Sequence, residues 1–255
     1  MLWVIFANLK GFPKVDPKFT PISLQDRFRF SCSPDVPCFN ECCRDLNQFL
    51  TPYDILRLKN HLGLSSGDFL KHYSSQHTGP ESGLPIITLR PKDNRDRICP
   101  FVSPGGCRVY ENRPSSCRTY PLVRALSRSR TTGEVTEQFM VLQEAHCLGF
   151  RKAAKQSVQQ WINGQEIALY NEINDQLMQI ISLKNRQIPG PLSFKSRHLF
   201  YIALYDLDDF RSQIKNNRLL DDFPIDSVTI DKAMQDDLAL LELGMKWIKK
   251  VLFEY

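Results

Sequence analysis

No apolar run in this chain is long enough to cross a membrane, which takes about 20 residues. The nearest candidate lies in the opening MLWVIFANLKGFPK, where the apolar stretch stops after residue 7. It has no basic region before it and no small-residue cleavage site after a full apolar stretch, so it does not read as a signal peptide. Several chemical signatures are also missing. There is no P-loop, no G-x-G-x-x-G after a strand, no H-E-x-x-H and no G-x-S-x-G. The sequence patterns of the nucleotide-binding folds, the zinc peptidases and the serine hydrolases are thereby excluded. No internal repeat and no low-complexity tract occurs. Cysteine is absent from everything after Cys147.

Charge is also modest. The formal net charge of +5 over 255 residues falls short of the density of a dedicated nucleic-acid binder. Its one local concentration, Arg124, Arg128 and Arg130, sits among Ser127, Ser129, Thr131, Thr132 and Gly133 and reads as a solvated loop. With 42% hydrophobic and 24% charged residues, the chain can build a core without covalent staples. The expected setting is the cytoplasm, where thiols stay reduced.

Against these absences stand eight cysteines, all before residue 150. The first group is CSPDVPCFNECCRD, with the spacing Cys32-x5-Cys38-x3-Cys42-Cys43. The second is CPFVSPGGCRVYENRPSSCRTYP, with Cys99-x7-Cys107-x9-Cys117, and Cys147 follows His146. Short spacings let one turn of backbone present several sulfurs to one point, and a longer excursion brings further ligands. A disulfide framework fits neither the compartment nor the need, and Cys42–Cys43 would close a strained ring. Buried structural thiols do not explain eight cysteines confined to turn-rich segments. The pattern therefore points to metal ligation by Cys32, Cys38, Cys42, Cys43, Cys99, Cys107, Cys117 and Cys147, in one site or two. Thiolates suit zinc and iron–sulfur clusters alike. The C-x2-C pairs of zinc ribbons and the C-x2-C-x2-C run of ferredoxins are both absent, so the metal stays open. Arg44, Arg108 and Arg118 each follow a cysteine and could offset thiolate charge.

These residues resemble the YkgJ-type cysteine-cluster family, described by a CxxCxxCC motif and regarded as zinc- or iron-chelating domains. The resemblance covers roughly residues 30–150. Its first motif looks like Cys32, Cys38, Cys42 and Cys43 followed by Arg44, with longer loops than the family pattern. Its second is matched by Cys99-Pro100-Phe101, Cys107, Tyr110, Arg113-Pro114, Cys117-Arg118 and Tyr120-Pro121. The resemblance implies metal binding and supplies no reaction. A flagellin lysine methylase is similar to this family, which makes protein-lysine methylation one alternative; a structural zinc module for protein or nucleic-acid contact is another. No protein partner or substrate can be named from the sequence.

The fold expectation is α+β and mainly helical. An extended arm (1–30) leads to a loop-rich cysteine domain with a few short strands (31–150), then to a helical region packed on it (151–255). Thr51, Pro52 and Asp54 predict a capped helix from about residue 52 to 61, ended by Gly63. Ser65 and Asp68 open a second. Residues 86–89 and 137–144 read as strands, the latter paired with 120–125. Residues 152–163, 165–183 and 194–215 read as helices, and Met234 to Leu252 as the last. Residues 76–97 are otherwise read as turns. His146 is the one histidine beside a cysteine, and His61, His72, His77 and His198 read as surface groups. Tyr110, Arg113 and Tyr120 read as packing for the second cysteine loop. Asp206, Asp208, Asp209, Asp236 and Asp237 read as solvated helix faces rather than acid–base pairs.

Overall fold

A computed structural model describes residues 18–253 except 81, 94, 130, 131 and 152. Residues 1–17 of the expected arm (1–30) lie outside the described residues, as does Arg130. The fold is mixed α+β and mainly helical, with its strands in small sheets. The chain forms two compact units. One holds the described residues up to Cys43, Ser103–Gly106 and Ser115–Ala168; the other holds Arg44–Val102, Cys107–Pro114 and the described residues from Leu169 onward.

In the first unit, a three-stranded antiparallel sheet places Val135–Gln143 between Lys18–Ile22 and Leu122–Arg128. Leu122 faces Val141, and Arg124 faces Phe139. The expected pairing across the Ser/Arg/Gly loop is present. Arg124, however, lies in the strand and pairs with Glu137, so it is no loop residue. Arg27–Arg29 pairs with Lys155–Ser157. The helix expected from residue 152 begins only at Val158, because Ser157 caps it through Gln160. The core joins Phe28, Phe30, Leu122, Phe139, Val141 and Val158. Phe30 is its hub, with Tyr120, Phe150 and Trp161 rings at 5.6, 5.2 and 5.4 Å.

In the second unit, Pro52–Leu62 forms as its caps dictate. Thr51 and Asp54 make a reciprocal capping box, and Gly63 ends the helix at φ 65°. That left-handed geometry suits glycine. Ser65 caps Ser66–Tyr73. Pro85–Leu89 is the central strand of a second small sheet, between Phe49–Leu50 and Ser74–Thr78. The latter strand falls where turns were expected, since its SSQHT sequence carries no apolar alternation. A long helix covers Ala168–Gln187.

The helix expected over 194–215 is two, Phe194–Leu204 and Leu207–Asn217, broken where Asp206 caps the second. The last helix likewise starts at Asp237, and Met234 belongs to the preceding Ser227–Gln235. Asp237–Phe253 packs closely on Phe194–Leu204. A Cβ on Gly244 would stand 2.2 Å from the Ala203 carbonyl oxygen.

Asp236 is exposed, as expected, and caps its own helix through the Ala239 N–H, whereas Asp206, Asp208 and Asp237 are not solvated faces. Lys59, 5% exposed, pairs with Asp237 at 2.7 Å and Asp208 at 3.6 Å. Arg211 bonds both carboxylates. Ser66 donates its N–H to Asp208 and its hydroxyl to Asp206. These acids fasten helices to one another.

Candidate metal centre

The first-unit cysteines sit on backbone that is folded by its own turns. Between Ser33 and Cys43 the amides close a succession of tight bonds: Val36 N–H to Ser33 O, Phe39 to Val36, Glu41 to Cys38 and Cys43 to Asn40. Asn40 adopts φ 72°, a conformation asparagine tolerates, and its side chain donates to Ser103 O at 3.0 Å. Glu41–Cys43 then forms a short 3-10 turn. A second segment is clasped to the first. Ser31 N–H donates to Gly149 O at 3.0 Å, and a Cβ on Gly149 would lie 2.7 Å from both Phe30 and Ser31 O. Only glycine permits that approach. The residues before it, Cys147 and Leu148, are carried along with it.

The result is a sulfur pair. Leu148 N–H donates to Cys38 Sγ at 3.1 Å across 110 residues of sequence. Cys38 and Cys147 are neighbours. Burial pushes the Cys147 thiol up and the nearby Cys38 adds to that, while Tyr120 and the Gly149 N–H act in the opposite direction. Both thiols are half-buried.

The hydroxyl of Tyr120 is buried and makes no hydrogen bond of normal geometry among the described residues. Its polar neighbours are Cys147 and Glu144, and burial chiefly, then these two groups, drive it far above the ordinary phenol range. His146, exposed, stands 3.7 Å from Glu144.

The other expected ligands distribute as follows. Cys32, Cys42 and Cys43 lie in the same folded segment, and Cys117 on the short helix Ser115–Thr119, all in the first unit. Cys32, Cys42 and Cys117 are exposed and Cys43 is half-buried. Cys99, buried, and Cys107, half-buried, belong to the second unit. Two arginines that follow cysteines bond main-chain carbonyls: Arg108 reaches Pro100 O at 2.8 Å, and Arg118 reaches Gln165 O at 2.6 Å. Arg113 is buried, lies 3.8 Å from the Tyr110 ring centre and donates to the Tyr110 carbonyl, so this pair packs its own loop.

Sequence reasoning missed His61. Exposed as expected, it nevertheless bridges Asn112 Nδ2 (3.1 Å, through Nδ1) and Arg108 O (3.4 Å, through Nε2). Arg57 holds Asn112 Oδ1 from the same helix face at 2.9 and 2.6 Å. The i, i+4 spacing of Arg57 and His61 was the available signal.

Adjacent thiols that receive amide hydrogens fit a soft metal as two of its ligands, because N–H donors offset thiolate charge. Among the described residues, no three histidine, cysteine, aspartate or glutamate side chains converge to hold a metal ion. The described geometry thus brings two thiols near one another without assembling a full ligand set. Residues 31–148 match the CxxCxxCC family, whose description reads "Putative zinc- or iron-chelating domain". No curated protein and no solved structure matches the chain.

Proposed function

We propose, from the match of residues 31–148 to the CxxCxxCC model, that the protein binds zinc or an iron–sulfur centre through thiolates, with Cys38 and Cys147 as the fixed pair. One observation carries this reading: two thiols far apart in sequence meet where the Leu148 amide already points at sulfur. Four ligands satisfy a structural zinc, and four thiolates hold a typical cluster. Cys32, Cys42, Cys43 and Cys117 belong to the same unit and supply the remaining ligands. The six thiols of that unit reach the required number without Cys99 and Cys107.

The domain's own residues fold the ligand backbone, direct the Leu148 N–H at the Cys38 sulfur and pack Cys147 against the Phe30 cluster. A bound metal would add Lewis acidity or, as a cluster, electron storage. Such a centre requires a reducing compartment, with the cytoplasm the first to examine.

The test compares zinc and iron content per chain in three proteins: the wild type, the double variant Cys38→Ser/Cys147→Ser, and the double variant Cys99→Ser/Cys107→Ser. The reading predicts that the first variant loses the metal and the second retains it. Equal retention in both variants would remove the Cys38–Cys147 pair from the centre.

A further inference from the structure

The two-stranded ribbon of Arg27–Arg29 and Lys155–Ser157 turns a cationic face outward. Arg27, Arg29 and Lys155 are exposed, while Phe28 between the arginines is buried. Side chains alternate between the faces of a strand, so the two arginines share one face. The register sets Lys155 directly opposite Arg29. Like charges placed so destabilise a sheet, and no carboxylate offsets them. Arg27 donates to the Lys155 carbonyl at 3.1 Å and Arg29 to the Ala153 carbonyl at 2.7 Å, both neutral acceptors. Among the described residues, Arg27, Arg29, Arg151 and Lys155 enter no ion pair. The sequence gives the reason. Residues 27–34 hold no acid, and residues 145–165 hold Arg151, Lys152 and Lys155 with no acid. Asp26, at the end of the ribbon, accepts from the Ser23 N–H at 2.8 Å.

We propose that this ribbon is the docking surface for an acidic, extended segment of a partner protein, whose carboxylates lie over Arg27, Arg29 and Lys155. Charge sets the sign of the partner, and the face sets its class. A guanidinium carries five N–H donors in a fork that fits a carboxylate, and a single carbonyl bond leaves most of them for a ligand. Alternate residues of a strand stand about 7 Å apart, so alternate acids of an extended segment match the spacing of Arg27 and Arg29. The outward residues, Arg27, Arg29, Lys155 and Ser157, offer no aromatic ring to stack on a nucleic-acid base. They offer no apolar side chain to enter a lipid bilayer. The ribbon continues into the cysteine segment at the Ser31–Gly149 bond, so a docked partner lies beside that segment. The proposal uses none of the candidate metal ligands and does not depend on the metal-binding reading.

The test uses the full chain and a fluorescein-labelled oligo-glutamate peptide, with binding read by fluorescence anisotropy at low salt. Wild type is compared with Arg27→Gln/Arg29→Gln/Lys155→Gln. The control, Arg186→Gln/Lys195→Gln/Lys215→Gln, removes as many exposed positive charges from the helical unit. The ribbon variant is expected to bind about 10- to 100-fold more weakly, the loss of three exposed ion pairs, and the control to stay within about twofold of wild type. The salt dependence of Kd should flatten in the ribbon variant alone. Lys155→Gln by itself should hold or raise Tm, since it relieves the opposition to Arg29.

Equal weakening in the two triple variants, or no binding by wild type, overturns the proposal. Tighter, ribbon-dependent binding of labelled oligothymidylate also overturns it and makes the partner a nucleic acid. The same result with vesicles of phosphatidylserine and phosphatidylcholine overturns it in favour of a membrane surface. If the ribbon variant does not fold, amide hydrogen exchange of wild type decides. The glutamate peptide should slow exchange in Arg27–Arg29 and Lys155–Ser157 and leave Phe194–Leu204 unchanged, and absence of that protection counts against the proposal.

Discussion

The helical unit and the cysteine unit solve the problem of stability with different materials. In the first of these, Leu58, Phe69, Ile173, Ile180, Phe200, Phe210, Leu240, Leu241 and Ile248 are all buried. It buries Lys59 against the partly exposed carboxylates of Asp208 and Asp237, which Arg211 also bonds. The cysteine unit gathers a smaller core around Phe30 and leaves half-buried thiols at its edge. The difference is chemical. Ion pairs among helices close their own shells, whereas thiols beside amide donors become stable as anions only when a cation joins them. On this account the helical unit is finished by folding, and the cysteine unit is finished by metal.

The sharpest way to break the comparison is to open the helical unit's ion network. Lys59→Met is expected to cost about 3 kcal/mol, the low end for orphaning buried partners because Asp208 and Asp237 keep some solvent contact. Hydrogen exchange should rise in Pro52–Leu62 and Asp237–Phe253 and stay unchanged in Val135–Gln143. Acid acts on the same network. Burial tends to raise Asp208 and Asp237, but for Asp208 the Ser66, Lys59 and Arg211 contacts outweigh it, and for Asp237 the Lys59 and Arg211 contacts do, so both carboxyls lie below the ordinary range. Their contribution is full above the unfolded carboxylate pKa, near 4, and is lost as pH falls through the lower folded values. Urea midpoints for wild type should therefore drop below about pH 4, and Lys59→Met should show a shallower drop.

Gly244→Val comes next. The added carbons meet the Ala203 carbonyl and force two helices apart, at a cost of about 2 kcal/mol, read as a lower Tm. An unchanged Tm would mean that this helix contact is looser than the backbone spacing indicates.

The smallest expected effects compare two capping boxes. Thr51→Ala removes a buried cap and should cost about 1 kcal/mol or more, whereas Ser157→Ala removes a partly exposed one and should cost nearer 0.5 kcal/mol. Equal losses would say that burial does not separate the two units at their helix ends.

How much of this was legible depended on whether the signal was local. Thr51, Pro52, Asp54 and Gly63 fix a helix by bonds within their own turns, so its limits could be read to within a residue. The hairpin of Leu122–Arg128 with Val135–Gln143 carried its turn between its strands. Lys18–Ile22 was not legible, because Pro21 suggested an arm and only the partner strand makes it a sheet edge. Ser74–Thr78 is polar and mostly exposed, and it is a strand through its pairing with Pro85–Leu89. Asp206 looked like one acid among several on a helix; it caps the helix through the Asp209 N–H, and the Ser66 hydroxyl that bonds it is distant in sequence.

The same division runs through the candidate site. Residue type and spacing picked out the cysteines, since soft ligands clustered in turns have few other uses. That Cys38 meets Cys147, and that Tyr120 stands beside them, follows from the Ser31–Gly149 clasp, which the sequence pattern does not display.

The central claim, that thiolates of the cysteine unit hold a metal, is tested most directly by the metal content and visible spectrum of protein purified without oxygen and without a metal-affinity tag. The account predicts about one zinc per chain in colourless protein, or iron with labile sulfide in brown protein. Protein that folds fully, carries neither metal and takes up neither when both are supplied would contradict it.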